Sequence, residues 1–182
     1  MAMSNPITRL AARYGDATAP LAGYAVLAGA FNLGLIGYLA ARRHRLPTRI
    51  GVEDVVLLGV ATHRLGRLIA RDKVTRFIRA PFTHYDGPGD APGEVEETPR
   101  GEGLQKAVGE LVTCPTCIGL WVGAGLTGVY VASPPLARAI AAVFTVDAVA
   151  SALNLAWPAV AKQASELSED ESAGASAPVA IG

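Results

Sequence analysis

The residues of this chain best suited to chemistry are two cysteines, which lie three positions apart in Cys114-Pro115-Thr116-Cys117. Proline is favourable in the first turn of a helix, because its missing N–H would have no partner there. A helix N-terminus also carries partial positive charge and free N–H groups, which favour a thiolate over a thiol. If the motif caps a helix, we expect Cys114 to be the more exposed sulfur, with Cys117 one turn inward as its resolving partner. This arrangement predicts dithiol–disulfide exchange.

Two other interpretations of the cysteine pair remain open. The thiolates could form half of a zinc site, since structural zinc takes four ligands. His44, His63 and His84 are the histidines of the chain, and none has ligand-like spacing to another, so a second copy of the chain would have to supply the missing cysteines. The thiols could also be structural only. We expect no cofactor, with zinc as the alternative.

Other candidate residues lie in apolar sequence. Asp147 is the single charged residue between Ala139 and Ala161, and ionisable groups in such segments usually face the bundle interior and are functional candidates. The alternative is a buried hydrogen bond that holds helices together. Gly119 and Gly123 have GxxxG spacing, which permits close helix–helix approach and makes them candidates for a homo-oligomer contact.

Long apolar stretches must position these residues. The chain has 182 residues, 51% of them hydrophobic, and about 20 apolar residues in a helix cross a hydrocarbon core of roughly 30 Å. The sequence predicts an all-α integral membrane bundle with three transmembrane helices, at about 21–41, 113–133 and 139–161. Pro134-Pro135 predicts a turn between the last two. We expect residues 1–20 to form a leader and 162–182 a disordered acidic tail.

The segment 52–79 predicts an additional amphipathic helix, because Arg64, Arg67 and Arg71 recur at helical spacing. An arginine at the centre of a span costs about 2.5–3.5 kcal/mol, which favours an interfacial or partly inserted helix over a full crossing. The alternative is a fourth span whose arginines snorkel towards the surface. We expect anionic lipid headgroups to bind the basic stripe, and no nucleic acid, because no aromatic stacking platform accompanies it.

The segment 83–103 is rich in proline, glycine and acidic residues, which predicts a flexible acidic loop. The distribution of basic residues then orients the chain. With three spans and an outside N-terminus, the basic residues left outside are Arg9, Arg13 and Arg138. We therefore expect a multi-pass protein of the cytoplasmic membrane, with its C-terminus and both cysteines on the cytoplasmic side.

Two segments together resemble a family of bacterial membrane proteins, domain of unknown function 1360, some of whose members are associated with sporulation. The first runs from Ala61 to Ile69 and continues with Asp72, Val74 and Arg79, and the second runs from Cys114 to Trp121. The resemblance covers residues 52–150. It implies a multi-pass membrane protein without an established activity. It also implies one recurring site, made of Arg64, Arg67, Asp72, Cys114, Cys117 and Trp121, in which the arginines are partly buried and pair with Asp147 or Asp72.

The leading functional hypothesis is a small membrane scaffold or interaction protein, not an enzyme, that senses redox state through its dithiol. The first alternative is a membrane thiol–disulfide oxidoreductase in which Cys114 attacks and Cys117 resolves. The second is a zinc-binding dimer. Other catalytic motifs are absent from the sequence: it contains no phosphate-binding glycine-rich loop with lysine, no Gly-x-Ser-x-Gly and no His-Glu-x-x-His.

Overall fold

The computed structural model describes residues 18–175 of the chain, which are mostly helical with two short strands. Its contacts divide the chain into two units, residues 1–145 and 146–182. The described helices are α1 (Leu21–Ala41), α2 (Val52–Arg71), α3 (Arg76–Arg79), α4 (Gly103–Thr113), α5 (Pro115–Ala132) and α6 (Pro134–Ala175). The strands are β1 (Thr83–Pro88) and β2 (Val95–Pro99), and short 3₁₀ turns cover Arg43–Arg45 and Lys73–Thr75.

Three helices in the described range are long and apolar enough to cross a membrane, namely Leu21–Ala41, Pro115–Ala132 and Pro134–Leu167. They correspond to the three spans that the sequence predicts. The turn at Pro134 is also as predicted, because α5 ends at Ala132 and α6 begins two residues later. The sequence did not predict α4, although Leu104, Ala107 and Leu111 have the spacing of one helical face.

The second unit contains the C-terminal part of α6. We predicted a disordered tail from residue 162 onwards, but the helix continues to Ala175. Alanine and glutamate favour helix, and Lys162 pairs with Glu166 one turn later, at 3.7 Å. Residues 176–182 of the predicted tail and residues 1–17 of the predicted leader lie outside the described part of the chain.

Within the first unit, α1 and α5 run parallel. The Phe31 and Trp121 rings meet edge to face, with centroids 5.1 Å apart. Seven residues further along both helices, the Tyr38 hydroxyl donates to the carbonyl oxygen of Gly128 at 2.6 Å. Because both contacts move towards the C-terminal ends of α1 and α5, the two helices run in the same direction.

Helix α2 runs antiparallel to α5 along most of its length. Near the start of α2, Asp54 accepts a hydrogen bond from the Tyr130 hydroxyl at 2.7 Å. Near its end, Gly66 lies against the beginning of α5. At about 1.5 Å per residue, the 20 residues of α2 are as long as a transmembrane helix.

The sequence did not predict that α1 and α5 run parallel. If α1 and α5 were successive crossings, they would be antiparallel, whereas the structure has α2 returning between them. The distribution of side chains around α2 explains the difference. Val52, Val55 and Val56 are 77%, 56% and 59% exposed, so the first half of α2 presents an apolar surface. Its arginines Arg64, Arg67 and Arg71 lie in the last two turns.

The core of the first unit lies where α2, α5 and the beginning of α6 meet. Leu58 and Ala61 of α2 pack with Leu126 of α5 and with Ala137 and Ala141 of α6. An ion pair closes one end of this core. Asp54, which is 2% exposed, accepts two hydrogen bonds of 2.7 Å from Arg138 besides the one from Tyr130. The three helices are therefore joined at the end opposite the cysteine motif.

The predicted flexible loop is instead a β-hairpin. Strands β1 and β2 pair antiparallel from Thr83↔Pro99 to Pro88↔Val95, with an irregularity between Tyr85 and Gly87. Gly93, in the turn, has φ +87°, a conformation that suits glycine. The hairpin also joins the end of α2 through a bridge between Asp72 and Glu94.

The acidic residues of the hairpin pair with the basic stripe. Arg67 contacts Glu94, Arg71 contacts Glu96 at 3.0 Å, and Arg76 and Arg79 both contact Glu97. In the structure these four arginines contact the chain's own hairpin, and the binding of anionic lipid headgroups to the stripe stays a prediction. Pairing with the arginines holds in place a segment whose composition alone indicates disorder.

Arg79 is the most enclosed of these arginines, with 0% exposure. Its guanidinium donates to Glu97, to the carbonyl oxygens of Ile69 and Asp72, and to the Thr75 hydroxyl. Charged side chains are almost never fully buried unless they are paired. Arg79 therefore links α2, α3 and the hairpin.

We predict that Arg79→Met lowers the free energy of unfolding by about 3–5 kcal/mol, because the Glu97 carboxylate would be left buried without its partner. The matched control is Arg71→Met, whose pair with Glu96 is 35% and 51% exposed, and which should cost at most about 1 kcal/mol. Denaturant unfolding of the detergent-solubilised protein measures both. Equal effects of the two substitutions would contradict the structural role of Arg79.

Candidate functional site: the Cys114–Cys117 disulfide

Cys114 and Cys117 form a disulfide at the beginning of α5, with their Cα atoms 5.2 Å apart. Cys114 is the N-cap residue, and Pro115 occupies the first turn. The Cys117 N–H donates to Cys114 Sγ at 3.2 Å. The prediction that the motif begins a helix is confirmed. Reduction would leave a dithiol at a helix N-terminus, where free N–H groups stabilise a thiolate.

The relative exposure of the two sulfur-bearing residues is the reverse of the prediction. Cys117 is exposed, whereas Cys114 is half-buried. Cys114 directly follows Thr113, the last residue of α4, so it lies in a tight junction between two helices. Cys117 lies one turn along α5, on a side that faces a groove. The resolving role expected for Cys117 therefore does not follow from burial.

Gly66 of α2 positions the beginning of α5. A Cβ atom at this position would lie 2.9 Å from the carbonyl oxygen of Pro115 and 3.5 Å from Cα of Gly119. A side chain there would push α5 away. Further along, a Cβ atom at Gly123 would lie 3.3 Å from the Thr62 methyl group. The predicted Gly119/Gly123 surface thus packs on α2 within the chain.

The other residues of the predicted site lie at the same end of α2. Arg64 pairs with Asp72 at 3.5 Å, and both side chains are 19% exposed, so one of the two partners expected for Arg64 is found. Arg67 pairs with Glu94, which the sequence did not single out. Gly66 lies between these arginines in sequence and contacts the cysteine turn. Arg64 and Arg67, which we call the arginine group, and the disulfide therefore both lie next to the contact between α2 and α5.

Trp121 follows Cys117 by one turn and lines a groove between α1, α4 and α5. The groove has a volume of about 580 Å³ and is lined mainly by apolar side chains, with Cys117 among them. Its polar wall includes Tyr24, whose hydroxyl donates to the Glu110 carboxylate. The sequence indicated Trp121 but not Phe31, Tyr24 or Glu110. These three residues line the groove because of how α1 packs, which the sequence alone does not predict.

Asp147 lies in α6 within the second unit, and its side chain is half-buried. Between residues 18 and 175, no group of three or more His, Cys, Asp or Glu side chains is placed to hold a metal ion. The zinc alternative, in which a second chain supplies the missing cysteines, stays a prediction.

Comparison with known proteins agrees with the sequence resemblance. Residues 57–157 match the family model described as protein of unknown function (DUF1360). The chain is also similar to the sporulation protein YjcA of Bacillus subtilis (strain 168), with 35% identity over 69 residues. That match covers 37% of this chain and 58% of the relative. No solved structure matches the chain. Since the family model spans more than half of its residues, this chain belongs to the DUF1360 family.

Proposed function

We propose that this chain is a redox-responsive membrane protein whose Cys114–Cys117 pair changes between disulfide and dithiol. The observation that carries the proposal is the position of the pair. The two cysteines form a disulfide at a helix N-terminus, and Cys117 is exposed. An accessible sulfur and a stabilised thiolate are the two requirements of thiol–disulfide exchange. Either a redox signal or electron transfer to a partner would use this chemistry.

A role in sporulation is part of this proposal. The support for it is the similarity to a relative named a sporulation protein, which this chain matches over 58% of the relative's length. The matched family region, residues 57–157, includes both the disulfide and the arginine group at the end of α2. We propose that this shared region carries the redox function.

We also propose four membrane crossings, made by α1, α2, α5 and α6. The parallel contacts of α1 and α5 support this, since one crossing in the opposite direction must lie between them. In this arrangement the N-terminus, the hairpin, the disulfide and the C-terminus share one face. The loop of residues 42–51 and the α5–α6 turn lie on the other face.

We place the disulfide face outside the cytoplasmic membrane. The first helix usually dominates orientation, and basic residues are retained inside. The loop after α1 contains Arg42, Arg43, Arg45 and Arg49, whereas Arg9 and Arg13 are the basic residues before α1. The total count of lysine and arginine is higher on the disulfide face and opposes this placement, but Arg71, Arg76 and Arg79 on that face pair with Glu96 and Glu97 of the hairpin. On charge, the orientation therefore rests on the first helix alone. A closed disulfide is also the state expected in an oxidising compartment. This proposal keeps the N-terminus outside, as the sequence predicts. It differs from the sequence prediction in placing the disulfide outside as well.

Labelling of single cysteines tests this topology. In a Cys114→Ser/Cys117→Ser background, we expect Asp90→Cys and Ser165→Cys to react with a membrane-impermeant maleimide in intact cells. His44→Cys should react only after permeabilisation. Reaction of all three variants in permeabilised cells controls for accessibility. Labelling of His44→Cys and Asp90→Cys from the same side would contradict a crossing by α2.

Counting of thiols by mass tagging tests the redox proposal. In isolated membranes, we expect two tags per chain after reduction, none after oxidation, and repeated conversion between the two states. A chelator should not change the result, whereas a zinc site would release its thiols only on chelation. Thiols that remain reduced in the presence of oxidants would contradict the proposal.

The exposure of the two cysteines adds a quantitative control. Cys114→Ser leaves the exposed Cys117, and Cys117→Ser leaves the half-buried Cys114. We expect the Cys117 thiol to be alkylated about tenfold faster, because reactivity follows thiolate character together with access. Equal rates in folded protein would show that the two sulfurs are equally accessible.

A further inference from the structure

The groove beside Cys117 has the chemical character of a binding site. Two aromatic rings, Phe31 and Trp121, lie in its wall, and Cys117 lies one helical turn before Trp121. Two of the helices that form it, α1 and α5, are apolar enough to cross a membrane. A ligand could therefore enter from lipid. The volume of about 580 Å³ is within the range of small-molecule sites.

The lining restricts the class of ligand. Among the described residues that line the groove there is no lysine or arginine, so it does not suit the phosphate groups of nucleotide cofactors. Tyr24 and Glu110 supply a hydroxyl and a carboxyl group that can exchange protons. Apolar walls, aromatic rings, a pair of proton-exchanging groups and a sulfur of the disulfide suit a planar, uncharged electron acceptor that dissolves in lipid.

We propose that this groove binds a lipid-soluble quinone, which oxidises the reduced Cys114–Cys117 dithiol. The inference rests on the proposed redox function and names its electron acceptor. The quinone head lies against the wall that Phe31 and Trp121 form, and its apolar tail extends into lipid. The Tyr24–Glu110 pair lies on the wall where a carbonyl oxygen of the quinone takes up protons.

The reaction balances in two steps. The Cys117 thiol gives its proton to the Glu110 carboxylate, and the thiolate adds to a ring carbon, forming a C–S bond, while an electron pair moves to a carbonyl oxygen that takes this proton from Glu110. The Cys114 thiol then loses its proton in the same way and attacks Cys117 Sγ, so the S–S bond forms and the C–S bond breaks. The released pair returns to the ring, and the second oxygen takes the proton that came from Cys114. Dithiol and quinone become disulfide and hydroquinone, with two electrons and two protons transferred.

Filling the groove tests the site. Ala28 lines it, whereas Ala25, on the same helix, is exposed and does not. The experiment uses reduced, detergent-solubilised full-length protein with a decyl-tailed benzoquinone and no oxygen, and measures hydroquinone absorbance and thiol tags. We expect the parent and Ala25→Trp to consume one quinone per disulfide formed. Ala28→Trp should react at least about tenfold more slowly, since a displaced ring loses its alignment with the sulfur.

A second oxidant separates this inference from the proposed function. Diamide, a small soluble thiol oxidant, should close the disulfide of Ala28→Trp at the parent rate, which shows that the dithiol and the fold are intact. Equal quinone rates for Ala25→Trp and Ala28→Trp would overturn the groove as the site. Oxidation of the parent by diamide but not by the quinone would overturn the quinone proposal alone. Failure with both oxidants would overturn the redox function as well.

The proton-exchanging pair has its own test. Glu110→Gln keeps the size of the side chain but removes its acid, and we expect slower oxidation by the quinone with an unchanged rate for diamide. Glu102→Gln, at an exposed position just before α4, is the control. A quinone rate unaffected by Glu110→Gln would show that the carboxyl group does not supply the proton.

Discussion

The close contact between α2 and α5 is the constraint on which the rest of the structure depends. At Gly66 the two backbones approach so closely that a Cβ atom would lie 2.9 Å from a carbonyl oxygen. This contact fixes the position of the first turn of α5, where the disulfide forms. It also fixes the direction of α2 relative to α5, because Asp54 meets Tyr130 at the other end.

The hairpin resolves an electrostatic problem that this contact creates. Laying α2 along α5 brings Arg64 and Arg67 close to the end of an apolar bundle, where unpaired charge is costly. Asp72 pairs with Arg64, and Glu94 of the hairpin pairs with Arg67. The buried Arg79 in turn holds the hairpin through Glu97. Pairing within the chain thus lets an arginine-bearing helix lie beside apolar ones.

Hydropathy and local motifs predicted much of the fold but not its long-range pairing. The uncharged run 21–41 predicts an apolar helix because its length and composition can be read from one continuous segment. The Cys-Pro turn at the beginning of α5 was predictable for the same reason, since capping chemistry is local. The hairpin was not predicted because Glu94 and Glu97 stabilise it through arginines that are 27 and 18 residues away in sequence. Cys114 is half-buried at its junction with α4, a helix that no local motif predicted.

The directions of the helices also decide which side chains lie beside the cysteines. In a three-crossing order, α1 would lie antiparallel to α5, and Tyr24 at its beginning would be far from Cys117. The parallel order instead places Tyr24 beside Glu110 and Phe31 beside Trp121. These contacts build the wall of the groove next to the exposed sulfur. The parallel order of α1 and α5 therefore brings an apolar groove next to the disulfide.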